Sequence, residues 1–225
     1  MNKISVPNIV KYFRKVEKNR ATFIANLKKP VVKKDDDEEG GGNYWVHSYS
    51  TISKAFKTEE LNLLDLKIDL ISEKKSKATL ERSKIMYQRN IDILFGAKDL
   101  DFKELKPYFD VKYLKNTRVI LNVSSIPIEI SPNHVFWFND GDHKKVGAIW
   151  FVVIKEGYKD FELALFNYCL YQYLHSIYKD KYTVSKDFCI VLDITNGNRI
   201  NFSKVLLDNY PESIKKELEL LRKAI

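Results

Sequence analysis

Four histidines, two cysteines and a few acids at strand ends are the residues of this chain whose chemistry could reach beyond folding. Zinc requires ligands at spacings that let them converge on one ion. His47, His134, His143 and His175 show neither HxH nor HExxH spacing, and His134 and His143 flank a hairpin signal where surface histidines are ordinary. Cys169 and Cys189 sit in apolar surroundings without CxxC spacing, so both read as core thiols. Ser124, Ser125 and Ser131 lack a GxSxG context, and neither cysteine has an evident neighbouring base, which leaves nucleophilic catalysis unsupported. Gly40, Gly41 and Gly42 are followed by no GK[ST], which removes a P-loop. Asp193 closes an apolar strand and is either a site acid at a strand terminus or the cap of the Asn196-Gly197 turn; the cap is the preferred reading. Tyr168, Tyr171, Tyr173 and Tyr178 fall on one helix and could stack on bases, but helical spacing assigns most of them to core or interface.

Positive charge is the second chemical signal. The chain carries a formal +8, of which residues 1–34 hold +9 and the remainder −1. Ile9, Val10, Phe13, Val16, Phe23, Ile24 and Leu27 recur at three- and four-residue steps behind Pro7, predicting an amphipathic helix over residues 7–28. Lys11, Arg14, Lys15, Lys18, Arg20, Lys28 and Lys29 make that arm the candidate nucleic-acid-binding element. Clustered cations beside apolar surface suit DNA or RNA, anionic lipid or an acidic protein partner, and equally a docking helix with a solvated cationic side. Residues 35–43 (DDDEEGGGN) read as a linker, a solvated acidic run followed by glycines, with a fold-back onto the basic arm as the alternative.

The elements that must position these residues divide into a helical region over 58–115 and a sheet region over 118–202, within a single unit spanning 44–225. From Thr58 to Phe95 there is no Gly or Pro; Leu61, Leu64, Ile68 and Ile71 give a helical stripe, and the polar stretch 73–77 predicts either one long helix or an antiparallel pair broken near 74–79. Such a pair is more often scaffold or oligomer interface than active site. RVILNV (118–123), IPIEI (126–130) and HVFWF (134–138) have strand composition, with Pro127 and Pro132 marking edges or bends. Asp140-Gly141 centres a hairpin turn, and the apolar run 146–155 (VGAIWFVVIK) is the central strand. A nearly all-apolar helix over 161–178, a buried strand over 188–194, a short strand over 199–202 and a final helix from Pro211 complete the order. The expectation is an α+β fold: a mixed sheet of about four to five strands in a helix-strand-strand-strand-helix-strand core, with a helical N-terminal extension.

No window approaches the apolar length of a membrane span and no secretory signal is visible, so the expected setting is cytoplasmic. The element order resembles the core of the PD-(D/E)XK nuclease-like superfamily over residues 60–195. That resemblance implies an acid on the second strand and an acid-x-lysine on the third, holding Mg2+ for phosphodiester cleavage. Lys155 stands where the family lysine would, but the position two before it is Val153, which cannot ligate a cation. Glu129, Asp140 and Asp142 would have to supply the carboxylates. VGAIWF, the aromatic helix and YTVSKDFCIVLDI also resemble uncharacterised bacterial proteins, which implies no mechanism. The resulting expectation is a non-catalytic, degenerate nuclease-like protein associating with nucleic acid through its basic arm and needing no cofactor. The alternative is an interaction or regulatory module of a bacterial complex that forms a homo-oligomer through residues 58–95, and a metal-dependent nuclease ranks below both.

Overall fold

The computed structural model describes residues 3–29, 44–108 and 110–225; the expected linker over 35–43 lies outside them. The chain opens with strand β1 (Ile4–Ser5), helix α1 (Val6–Arg14) and helix α2 (Glu17–Lys28). Three helices follow, α3 (Val46–Thr58), α4 (Asn62–Lys77) and α5 (Glu81–Lys98), then strands β2 (Lys112–Leu114), β3 (Val119–Val123), β4 (Ile126–Ile130), β5 (His134–Asp140) and β6 (His143–Val152). Helix α6 (Asp160–Tyr178), strands β7 (Thr183–Asp193) and β8 (Arg199–Asn201), and helices α7 (Phe202–Leu207) and α8 (Tyr210–Ala224) end it. This is an α+β fold with mixed sheets packed by helices.

The larger sheet runs β2-β5-β6-β7-β8, and the smaller runs β1-β4-β3. In the larger one β5 and β6 are antiparallel, while β6 and β7 are parallel and joined through α6. Alternation along β6 explains why its apolar run is continuous: Val146, Ala148, Trp150 and Val152 face the layer containing α1, α6 and α8, and Ile149 and Phe151 face α3, α4 and α5. Gly147 serves a close approach. The β6–β7 register jumps from Val146↔Val184 to Ala148↔Cys189, and a Cβ at Gly147 would lie 2.6 Å from the Phe188 carbonyl oxygen on that bulge.

Of the two forms expected over 58–95, one long helix or a pair broken near 74–79, the pair is present, broken at residues 78–80, and α8 buries Ile214, Leu218 and Leu221 completely. The helix expected over 7–28 is instead two helices, with Lys15 and Val16 both extended between them. Arg20 explains how the break is tolerated: its guanidinium donates to the Lys15 and Phe13 carbonyls at 3.2 and 3.4 Å, serving carbonyls that α1 leaves without intrahelical partners. The redirected α2 then brings Ile24, with Phe23 and Leu27, to the apolar layer that α1 occupies. The hairpin β3–β4, expected as part of the main sheet, forms a separate sheet in which β1 pairs in parallel with Ile128 and Glu129 at the edge of β4.

Candidate polyanion-binding groove

The carboxylates proposed for metal are divided between two sheets, Glu129 in the smaller and Asp140 and Asp142 at the β5–β6 turn of the larger. Glu129 is on β4 of the smaller sheet, 2.5 Å from Lys3 Nζ and 3.0 Å from Arg118 Nε. Asp140 is paired with Lys145, and Asp142 sits in the β5–β6 turn that Gly141 makes with φ 58°. Lys155 is exposed in the turn beyond the other end of β6. Ten residues of strand separate it from Asp142, about 30 Å at the usual rise. Among the described residues no three His, Cys, Asp or Glu side chains come together as a metal-binding group.

The cations of the arm fall into two sets. Arg14 forms a fork with Glu162, Nε to Oε1 at 2.6 Å and Nη2 to Oε2 at 2.5 Å, and Nη2 also donates to the Gly157 carbonyl at 2.8 Å. Lys28 donates to the Ile225 carbonyl at 2.6 Å, and Arg20 lies 5.2 Å over the Tyr12 ring. Lys11, Lys15, Lys18 and Lys29 are exposed, with no ion-pair partner among the described residues.

Asp193 proves to be a structural hub. Its Oδ1 accepts from Thr195 N at 2.9 Å and its Oδ2 from Tyr158 N at 2.6 Å, so one buried carboxylate ties the turn after β7 to the turn after β6. Burial raises its pKa, against the two backbone donors that lower it. His134 is held between α3 and β5 by Ser53, whose carbonyl lies 2.8 Å from Nε2, and burial pushes the imidazole down to about 4. Both cysteines are fully buried, and burial raises each thiol.

One concave surface does gather unpaired charge. It is an open groove of about 550 Å³ at the start of β6, floored by Tyr171, His175 and Tyr182 and rimmed by Lys144, Lys179, Lys181 and Lys186. Each element contributes for a local reason. The two-residue Gly141-Asp142 turn projects His143 and Lys144, and the α6 C-terminus is closed by Lys181 N and Tyr182 N donating to the Tyr178 carbonyl at 3.0 Å each. The bulge in β7 throws Lys186 outward. Within the floor, Tyr171 lies flat on Phe202 with ring centroids 3.7 Å apart. Beside it, Trp137 sits under Lys112 at 5.1 Å and Lys144 at 5.6 Å, and 6.0 Å from Tyr182.

No family model, no curated protein and no solved structure matches this chain. The groove therefore stands on its own chemistry. Lys179 and Lys181 complement the negative end of the α6 dipole, which is a structural account of those two. Lys144 and Lys186 arrive from two different strands and have no such role. All four are exposed and without an ion-pair partner among the described residues, and Asp142 is the one acid in the groove lining. Like charges brought together at an open, aromatic-floored surface favour an anion that spans several of them.

Sequence reading missed this set because each lysine lies beside an acid in the chain: Asp142 near Lys144, Asp180 between Lys179 and Lys181, and Asp187 after Lys186. A linear charge count cancels them. The signal that was available is the alternation of aromatic and basic residues over 171–186.

Proposed function

We propose that the protein is a non-catalytic, degenerate nuclease-like protein that binds single-stranded nucleic acid across this groove. The observation that carries the reading is the convergence of Lys144, Lys179, Lys181 and Lys186, from three separate elements, over an aromatic floor. Lysines address successive phosphates, and Trp137 and Tyr182 offer partly exposed ring surface on which bases stack. The nuclease-like part is supported by strand order: β2, β5 and β6 form an antiparallel run, α6 follows, and β7 returns parallel to β6. The non-catalytic part is supported by the length of β6 between Asp142 and Lys155 and by Glu129 lying in the other sheet, paired with Lys3 and Arg118. A cytoplasmic setting belongs to the same proposal and is supported by two buried, unpaired thiols.

The test is fluorescence anisotropy of labelled oligo(dT) and oligo(U) over a salt series. Four engaged phosphates predict a slope of about −3 in log affinity against log salt for a single strand. Lys179→Gln with Lys181→Gln is expected to flatten that slope by about 1.4, on the same principle. No binding at low salt, or a slope untouched by the double substitution, overturns the proposal.

A further inference from the structure

Helix α4 carries two apolar stripes where a surface helix has one. Leu64, Ile68 and Ile71 are 0, 7 and 0% exposed and pack into the fold. Leu63, Leu66 and Leu70, at i, i+3 and i+7, line a groove against α3, and Leu66 and Leu70 are 61 and 44% exposed. A single exposed leucine is ordinary, but Leu66 and Leu70 exposed one turn apart, in line with the half-buried Leu63 along a groove of about 340 Å³, require a reason.

The charges around the row are one-sided. Lys54 from α3 and Lys67 from α4 form the walls, Lys74 lies two turns beyond Lys67, and none has an ion-pair partner among the described residues. The acids of α4 are otherwise placed: Asp65 is bound to Lys98 at 2.6 Å, Glu73 to Lys77 at 2.5 Å, and Asp69 falls on the flank of the leucine row away from Lys67 and Lys74. The field reaches the start of α3, where burial first and then Lys67 and Lys74 hold His47 below its ordinary pKa.

We propose that the α3–α4 groove docks an acidic amphipathic helix of a partner protein. Leucines at i, i+3 and i+7 accept the apolar ridge of a helix, and lysines on the groove walls meet carboxylates flanking that ridge. A nucleic-acid strand would leave the leucine row facing phosphate. A second copy lying antiparallel through the same face would set its own Lys67 and Lys74 against these. The site is separate from the basic groove at β6 and does not depend on that function.

The experiment uses the full chain and two labelled synthetic helical peptides with the same leucine ridge, one with glutamates and one with lysines at the flanking positions. The acidic peptide is expected to bind at least tenfold more tightly. Leu66→Asp with Leu70→Asp, both exposed and tolerable to the fold, is expected to abolish binding, and Lys54→Glu with Lys67→Glu to reverse the preference. Lys179→Gln with Lys181→Gln is expected to leave peptide affinity unchanged. Equal affinity for the two peptides, or binding that survives the leucine changes or depends on Lys179 and Lys181, overturns the proposal. Self-association of the free chain that Leu66→Asp with Leu70→Asp removes in sedimentation would make the occupant a second copy, and also overturns it.

Discussion

Arg14 ends in a fork on Glu162 at 2.6 and 2.5 Å, whereas Lys144, Lys179, Lys181 and Lys186 reach solvent from three elements with no carboxylate in ion-pair range among the described residues. Both regions are basic, and Arg14 and the groove lysines use charge in opposite ways. In the N-terminal arm the cation joins α1 to the start of α6; at the head of β6 the cations are left for something else. Position along the chain says where a charge is, while only the fold says whether it is already neutralised. The arm looks detachable in sequence because its basic residues cluster with a single acid among them, yet its first half lies in the apolar layer beneath the main sheet.

The largest effect separating the two regions is removal of residues 1–15. That deletion takes away Ile4, Val6, Ile9 and Val10, all at 0–2% exposure, together with β1. Each such side chain contributes about 1.5–3 kcal/mol on burial. Their sum approaches the roughly 5–15 kcal/mol by which domains of this kind are stable. The truncated chain is expected to lose its cooperative melting transition by circular dichroism. A truncated chain that still melts cooperatively would make the arm dispensable and erase the contrast. A binding assay on a truncation of the arm therefore measures folding, so substitution is the proper tool.

Next in size is Arg14→Met. It leaves the Glu162 side chain, 10% exposed, with the Lys159 N–H at 2.8 Å as its remaining donor, and is expected to cost about 2–4 kcal/mol. The pH dependence follows from two opposed causes. Burial raises the Glu162 carboxyl, but the Arg14 fork and the Lys159 N–H outweigh it and hold the group below its ordinary value. A depressed acid stabilises the fold above its unfolded pKa of about 4.5 and loses that contribution as pH falls through the native value. With Arg14 gone, burial is opposed by the Lys159 N–H and charge alone, and the depression of the Glu162 carboxyl shrinks. The gap between wild type and Arg14→Met in urea midpoint is therefore expected to be widest near neutrality and to narrow below about pH 4.5. A gap constant with pH would mean that the pair contributes packing rather than charge.

How far the sequence carried depends on whether a signal is local. The apolar run around Val146–Val152, the Asp140-Gly141 hairpin and the 214, 218, 221 stripe each lie within one element, and each was readable. Helix α3 was not, since His47, Ser48, Ser50, Thr51 and Ser53 dilute the buried trio Ile52, Ala55 and Phe56. Strand β1 is two residues long and exists only because Ile128 and Glu129 accept it as a neighbour. Arg14 and Glu162 lie 148 residues apart, and the groove lysines are spread from 144 to 186 among acids. Apart from the aromatic and basic alternation over 171–186, tertiary convergence of this kind leaves little trace in spacing. The glycine and acid run of 35–43 suggested a boundary, while the packing of α1 is set by residues well before it.

The smallest expected effect is the one that decides between the two basic regions. Lys15, Lys18 and Lys29 are exposed and unpaired among the described residues, so replacing all three by Gln should change stability by less than about 0.5 kcal/mol. If the groove at β6 holds the nucleic acid, the triple change leaves the oligonucleotide salt slope nearly intact, because charges more than about 10 Å from the bound strand are largely screened at ordinary ionic strength. If the arm is the binding surface, the same change flattens the slope by about 2, while Lys179→Gln with Lys181→Gln does little. The two variants therefore give opposite patterns in one assay on folded protein. Equal flattening by both would mean that one strand runs across arm and groove together, and the two regions would then form a single binding surface.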